Sequence, residues 1–169
     1  MININTIIGS PAEKGSATKE LAARLQAGQR SVWLSKWKSA DEVFNLLKLN
    51  KADGKLFDNP QFTVWTKYVD DLNGGDPKTA NSVIVSTLTS HHNDESLAKL
   101  IRAAKDVKET EKMASDLQNA QVSNWFVLKE SPTDVKKWLG VKGKPSNTAE
   151  GLLYEKYFND YEKVFGKLE

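Results

Sequence analysis

Apolar residues recur at helical spacing along nearly the whole chain, and the strict alternation that marks a half-buried strand is scarce. Leu21, Leu25 and Gln29 lead into Val32, Trp33 and Leu34, which predicts a first helix with Gly28 as a candidate break. Ser39-Ala40-Asp41-Glu42 has the form of a capping box: the Ser39 hydroxyl accepts from the Glu42 amide and the Glu42 carboxylate reaches back. It opens a helix carrying Val43, Phe44, Leu46 and Leu47. Asn59-Pro60 starts the next helix, which sets Phe62, Trp65, Tyr68, Val69 and Leu72 on one face, and Gly74-Gly75-Asp76-Pro77 stops it. Val83, Ile84 and Leu88, then Leu97, Leu100, Ile101 and Ala104, predict a helical hairpin interrupted by the capping sequence Asn93-Asp94-Glu95. Ser131-Pro132-Thr133-Asp134 begins a short helix through Trp138, which the stretch from Gly140 to Asn147 closes. A last helix then carries Leu153, Tyr157, Tyr161 and Val164 inward. No proline falls inside any of these helices. The expectation is an all-α chain of about eight or nine helices with no sheet.

The pattern repeats. Trp33 and Trp125 stand 92 residues apart, and at that offset Thr18/Thr110, Ala22/Ala114, Leu25/Leu117, Gln26/Gln118, Gln29/Gln121, Ser31/Ser123, Ser39/Ser131, Val43/Val135 and Leu47/Leu139 are identical. Shared amphipathicity alone would not reproduce both glutamines, so one supersecondary unit is used twice. The period is far longer than that of ordinary solenoids, which predicts tandem helical bundles, each with a small core of its own and docked on its neighbour.

Composition narrows the chemistry. Of 169 residues, 39% are hydrophobic and 27% charged, the balance of a folded globular chain. The 24 Lys/Arg and 22 Asp/Glu are interleaved to a net charge of +2, without the basic stripe of a nucleic-acid-binding domain. There is no cysteine, which excludes disulfides, thiolate metal sites and cysteine nucleophiles. No run approaches the roughly 20 apolar residues of a membrane span, and the N-terminus lacks the pattern of a signal peptide. If the natural protein is secreted, this chain is expected to be a trimmed form. Nucleophile motifs and glycine-rich phosphate loops are missing. His91 and His92, beside Asp94 and Glu95, are the one grouping with ligand-type side chains; helix capping and the helix dipole already account for it.

The segment from Trp33-Leu34 through Lys38-Ser39-Ala40-Asp41-Glu42-Val43-Phe44 to Asn59-Pro60-Gln61-Phe62-Thr63-Val64-Trp65-Thr66-Lys67-Tyr68 resembles the WY motif of oomycete RxLR effectors. The stretch Val85 to Leu100 is similar to the leucine-rich L motif that precedes a further WY unit in tandem LWY effectors. The resemblance implies a core Trp–Tyr pair at Trp33 and Tyr68, repeated at Trp125 and Tyr157. Phe44, Leu47, Trp65, Leu88, Leu97, Leu100 and Trp138 complete the expected structural core. It implies a WY-type bundle over 16–74 and an LWY-type bundle over 75–169, and leaves unexplained residues 1–15, which are expected to form a flexible segment. The second copy departs from the motif: Lys136 stands for Phe44, the Asn-Pro start of the last helix is missing, and Tyr157 aligns after a short deletion. Trp138, in the place of Leu46, is expected to fill the volume left by that phenylalanine, with Tyr154 or Tyr161 standing in should Tyr157 face outward. The Arg-x-Leu-Arg delivery motif does not occur, as expected of a trimmed effector domain.

Function follows from the resemblance as an expectation. The chain reads as a virulence effector, secreted and translocated into the host cell, that binds a host plant protein and modulates immunity without chemistry of its own. Related effectors engage a phosphatase core subunit, kinases or trafficking factors. The expectation includes no cofactor, no metal, no nucleic acid and no membrane span, and it allows a homo-oligomer. A self-associating helical adaptor and an enzyme without a recognisable motif are the alternative readings. Two segments, Trp138-Leu139-Gly140-Val141 and Tyr161-Glu162-Lys163-Val164, have the aromatic-x-x-aliphatic form that docks in extended conformation on ubiquitin-like proteins, which makes Tyr161 and Val164 the candidate partner-binding residues. Adding zinc is expected to produce neither heat in calorimetry nor a rise in melting temperature; a stoichiometric binding isotherm would overturn the capping account of His91 and His92.

Overall fold

The computed structural model describes residues 11–143 and 145–166. Among them are eight α-helices and no strand: α1 (Pro11–Ser35), α2 (Ala40–Leu46), α3 (Pro60–Leu72), α4 (Pro77–His92), α5 (Asp94–Lys105), α6 (Glu111–Leu128), α7 (Pro132–Trp138) and α8 (Ala149–Phe165). Two single 3-10 turns, Leu49–Lys51 and Asp53–Lys55, link α2 to α3. Residues 1–10 of the expected flexible segment lie outside the described residues, and residues 11–15 already belong to α1. Gly28 does not break that helix.

Side-chain caps fix where the helices begin. The Ser39 hydroxyl accepts from the Glu42 amide at 3.1 Å while the Glu42 carboxylate accepts from the Ser39 amide at 2.8 Å, closing the box reciprocally. Asn59 caps α3 ahead of Pro60, Asp76 caps α4 ahead of Pro77, and Ser131 caps α7 ahead of Pro132. In each, proline occupies a first-turn position where its missing N–H costs nothing. Gly74 and Gly75, at φ +67° and +75°, reverse the chain between α3 and α4.

Two hydrophobic cores result. The first gathers Trp33, Val43, Phe44, Leu49, Leu56, Phe62, Trp65, Tyr68 and Val69 from the first copy, together with Ile84, Val85, Leu88, Leu97, Ile101, Ala114 and Leu117 from α4, α5 and α6. The second is smaller and holds Ala98, Trp125, Val135, Leu139, Val141 and Tyr157. The first core thus continues past the turn at 74–75 at which the sequence divides into units. α5 and α6 serve both cores, with Ile101 and Leu117 in the first and Ala98 and Trp125 in the second. A partly buried ion pair adds to this shared wall: Lys105 reaches Glu150 of α8 at 2.6 Å and Gln118 of α6 at 2.7 Å.

The periodicity misplaces several residues. Leu21, Leu25 and Val32 of α1, Leu46 of α2 and Val164 of α8 are exposed, and Leu72 sits at the rim. For α1 the reason is direct: its partners in the first core meet it only near Trp33, so the preceding turns lack a helix to pack on.

Glu95, in the first turn of α5, accepts from Lys137 of α7 and from Lys99 of its own helix, each at 2.8 Å. The Lys137 hydrogen bond, followed by that from Lys99, holds its carboxyl down at about 2. A carboxylate depressed in the folded state stabilises above its unfolded pKa, and the contribution is lost as pH falls from about 4.5 towards 2. Glu95→Gln is therefore expected to lower the melting temperature modestly at neutral pH and to flatten its fall across that acid window, the two proteins converging near pH 2. Trp33→Ala, which empties a buried indole site, is expected to cost about 3–5 kcal/mol, seen as a drop in melting temperature on the order of 10 °C; a wild-type melting temperature would contradict its place in the core.

Candidate interaction surfaces

The aromatic pairs are set by the corner between the first two helices of each copy. Trp33 and Tyr68 meet edge to face with ring centroids 5.6 Å apart, and the Tyr68 hydroxyl donates to the Lys38 carbonyl at 2.5 Å. In the second copy the Tyr157 hydroxyl donates to the Glu130 carbonyl at 2.6 Å. Glu130 lies 92 residues after Lys38. The two tyrosines therefore latch the same backbone oxygen, although the deletion shortens their spacing to 89. Burial pushes both phenols above their ordinary value, with the Glu42 charge adding at Tyr68 and Tyr161 and Glu130 adding at Tyr157. The indoles are also satisfied: Trp65 donates to the Ala40 carbonyl at 2.8 Å and Trp125 to the Asp94 carboxylate at 2.5 Å.

Tyr157 is buried, so neither Tyr154 nor Tyr161 replaces it. Lys136, in the place of Phe44, lies 5.6 Å over the Tyr154 ring, where Phe44 packs on Trp65 at 4.9 Å. Trp138 instead stacks at 5.1 Å on Trp125 and stays half-buried. Leu88 and Leu97 are buried; Leu47 and Leu100 are half-buried.

The docking segments do not present themselves as extended chain. Leu139 and Val141 are in the second core. Tyr161 sits within α8, half-buried between Tyr157 and Phe165, with ring centroids 6.0 and 4.9 Å away, while Val164 faces solvent. His91 bonds Asp41 at 2.7 Å and lies against the Phe44 ring, which fastens the end of α4 to α2. Among the described residues no group of three or more His, Asp or Glu side chains is placed to hold a metal ion, and no helix is long and apolar enough to cross a membrane.

What the periodicity overlooks is Trp37. It stands at the α1–α2 corner, 90% exposed, with φ +53°. Its counterpart Lys129 takes the same left-handed conformation at φ +58°, so the corner needs that backbone but not an indole. The mismatch in the repeat was the sequence signal that could have drawn attention to it. A second difference opens a groove of about 460 Å³ between α6 and α8, lined by Val122, Phe126, Leu153 and Tyr157 with Lys156 and Asp160 at its edge. In the first copy Arg30 holds the place of Val122 and bridges α1 to Asp71 of α3 at 2.6 Å.

Residues 28–69 match the family model described as the WY-domain of effector PexRD54. The chain is 35% identical over 157 residues to RxLR effector protein PexRD25 of Phytophthora infestans, covering 90% of this chain and 50% of that relative. It is 37% identical over 123 residues to RxLR effector protein PSR2 of Phytophthora sojae, covering 73% of this chain and 18% of that one. The chain thus spans half or less of the length of these relatives. The crystal structure of PcRxLR12 superposes with a TM-score of 0.69 at 26% identity, covering 83% of this chain and 33% of that one. With both tyrosines latched to the helix corner in an all-helical frame, the chain belongs to the WY-domain RxLR effectors.

Proposed function

We propose that this chain acts inside the host plant cell, after secretion and translocation, as a non-catalytic scaffold that binds a host protein and alters immune signalling. The relatives' shared identity as RxLR effectors supports the setting. The observation that carries the binding role is Trp37. An indole left 90% exposed returns no packing to the fold, and tryptophan is prominent among residues that dominate protein interfaces. Lys36 lies exposed beside it while Lys38 is paired with Glu42, so the complementary surface is an apolar pocket with a carboxylate at its edge. Trp65, Tyr68, Trp125 and Tyr157, by contrast, have their polar atoms engaged within the fold.

Trp37→Ala is expected to leave the melting temperature at or slightly above the wild-type value and to weaken host-protein binding tenfold or more. The check is mass-spectrometric identification of plant proteins held by the wild type and lost by the variant, followed by affinity measurement with the purified partner. Equal retention of every partner by both proteins would overturn the role of Trp37, and recovery of homodimers alone would favour a self-associating adaptor.

A further inference from the structure

Four residues of α8, each about one turn from the next, form an outward ridge: Leu152, Lys156, Asp160 and Val164. Leu152 is 56% and Val164 60% accessible, and Lys156 reaches Asp160 at 2.5 Å within the ridge. Along the helix the ridge runs apolar, cation, anion, apolar, and both the charged pair and the apolar pair are centred on position 158. Such an order is its own complement: turned end for end, it sets cation on anion and apolar on apolar. Beside the ridge lies the groove between α6 and α8, with Val122, Phe126 and Leu153 on its apolar wall. The first copy gives the comparison. At the aligned positions it carries Thr63, Lys67, Asp71 and Gly75, with no apolar side chain at either end, and Asp71 is taken by Arg30 at 2.6 Å. Val122 in the place of Arg30 removes that bridge from the second copy, and Val127 in the place of Ser35 adds an exposed apolar side chain at the groove. Thr63, Lys67 and Asp71 stay exposed although α4 and α5 follow them, so this face lies outside the joint between consecutive units.

We infer that the α8 ridge is a self-association surface whose occupant is a second copy of this chain, packed antiparallel about a two-fold axis at position 158. Rows of residues four apart are those that interdigitate in the commonest class of helix packing, and the groove beside the ridge receives the row of the second copy. The two-fold repeats every contact: Lys156 of each copy meets Asp160 of the other, and Leu152 of each meets Val164 of the other. Each charged side chain thereby gains a second partner, and the two apolar ends leave solvent. One helix and one groove make a small interface, which fits a reversible dimer and not a permanent one. Trp37 is no part of the ridge or the groove, so mutation separates the two surfaces.

The test is sedimentation of the chain over a concentration series from micromolar to millimolar, where reversible monomer–dimer exchange is expected. Lys156→Asp and Asp160→Lys each set like charges opposite one another, and each is expected to weaken self-association about tenfold or more. Their melting temperatures are expected to stay close to wild type, because an exposed pair four residues apart contributes little to the fold. The double swap Lys156→Asp/Asp160→Lys restores complementarity and is expected to restore the dimer. Mixed together, the two single variants are expected to pair with each other more tightly than either pairs with itself, since one presents two anions and the other two cations. A chain that stays monomeric throughout, a dimer indifferent to both reversals, or single variants that fail to pair on mixing overturns the inference.

Discussion

The structure depends on burying a tryptophan and a tyrosine at a corner where the chain has just left a helix. A corner exposes carbonyl groups that no helical amide reaches, and an unpaired carbonyl inside the fold would be costly. The tyrosine hydroxyl answers that need at Lys38 and again at Glu130, while its ring packs on Trp33 in the first unit and on Phe126 in the second. One side chain thereby supplies apolar volume and polar satisfaction together, and the register of the last helix of each unit is set by where that hydroxyl must arrive. The deletion before α8 shows which requirement dominates: spacing along the chain changed, but the bond to the corner did not.

The two units then share material. Because α5 and α6 each line both cores, the hairpin that begins the second unit is also the lid of the first. His91 against Phe44 and Asp41 fastens one end of that lid, and the Lys105–Glu150 pair ties α5 to the far helix. The interleaved surface charge lets such a chain stay folded while its outward residues vary, since what defines the fold faces inward.

Much of this was legible in the sequence, and the part that was not has a common cause. Capping residues, prolines and glycines are local, so the starts of α2, α3, α4 and α7 could be placed from a few letters each. The repeat identified the anchor tryptophans, because identity at both polar and apolar positions is informative in itself. Burial is not local. Leu25 and Leu117 are the same residue in the same register, and only the presence of α4 and α5 over one of them separates exposed from buried. Val164 looked inward on periodicity and faces solvent, and Trp138 packs on Trp125 where volume matching had it replace Phe44. Trp37 lay outside every apolar stripe and for that reason carried no weight in a reading built on stripes.

A shared lid has a bearing on how such effectors diversify. A recombination joint at Gly74–Gly75 looks like a clean cut in the sequence, yet it would hand a recipient the helix whose Ile84, Val85 and Leu88 were shaped against a different predecessor. The unit that can be shuffled without repair is therefore offset from the unit that the motif spells out. Lineages that exchange modules at the glycines must keep the α4 footprint interchangeable, and that footprint, more than the aromatic anchors, limits which modules can follow which.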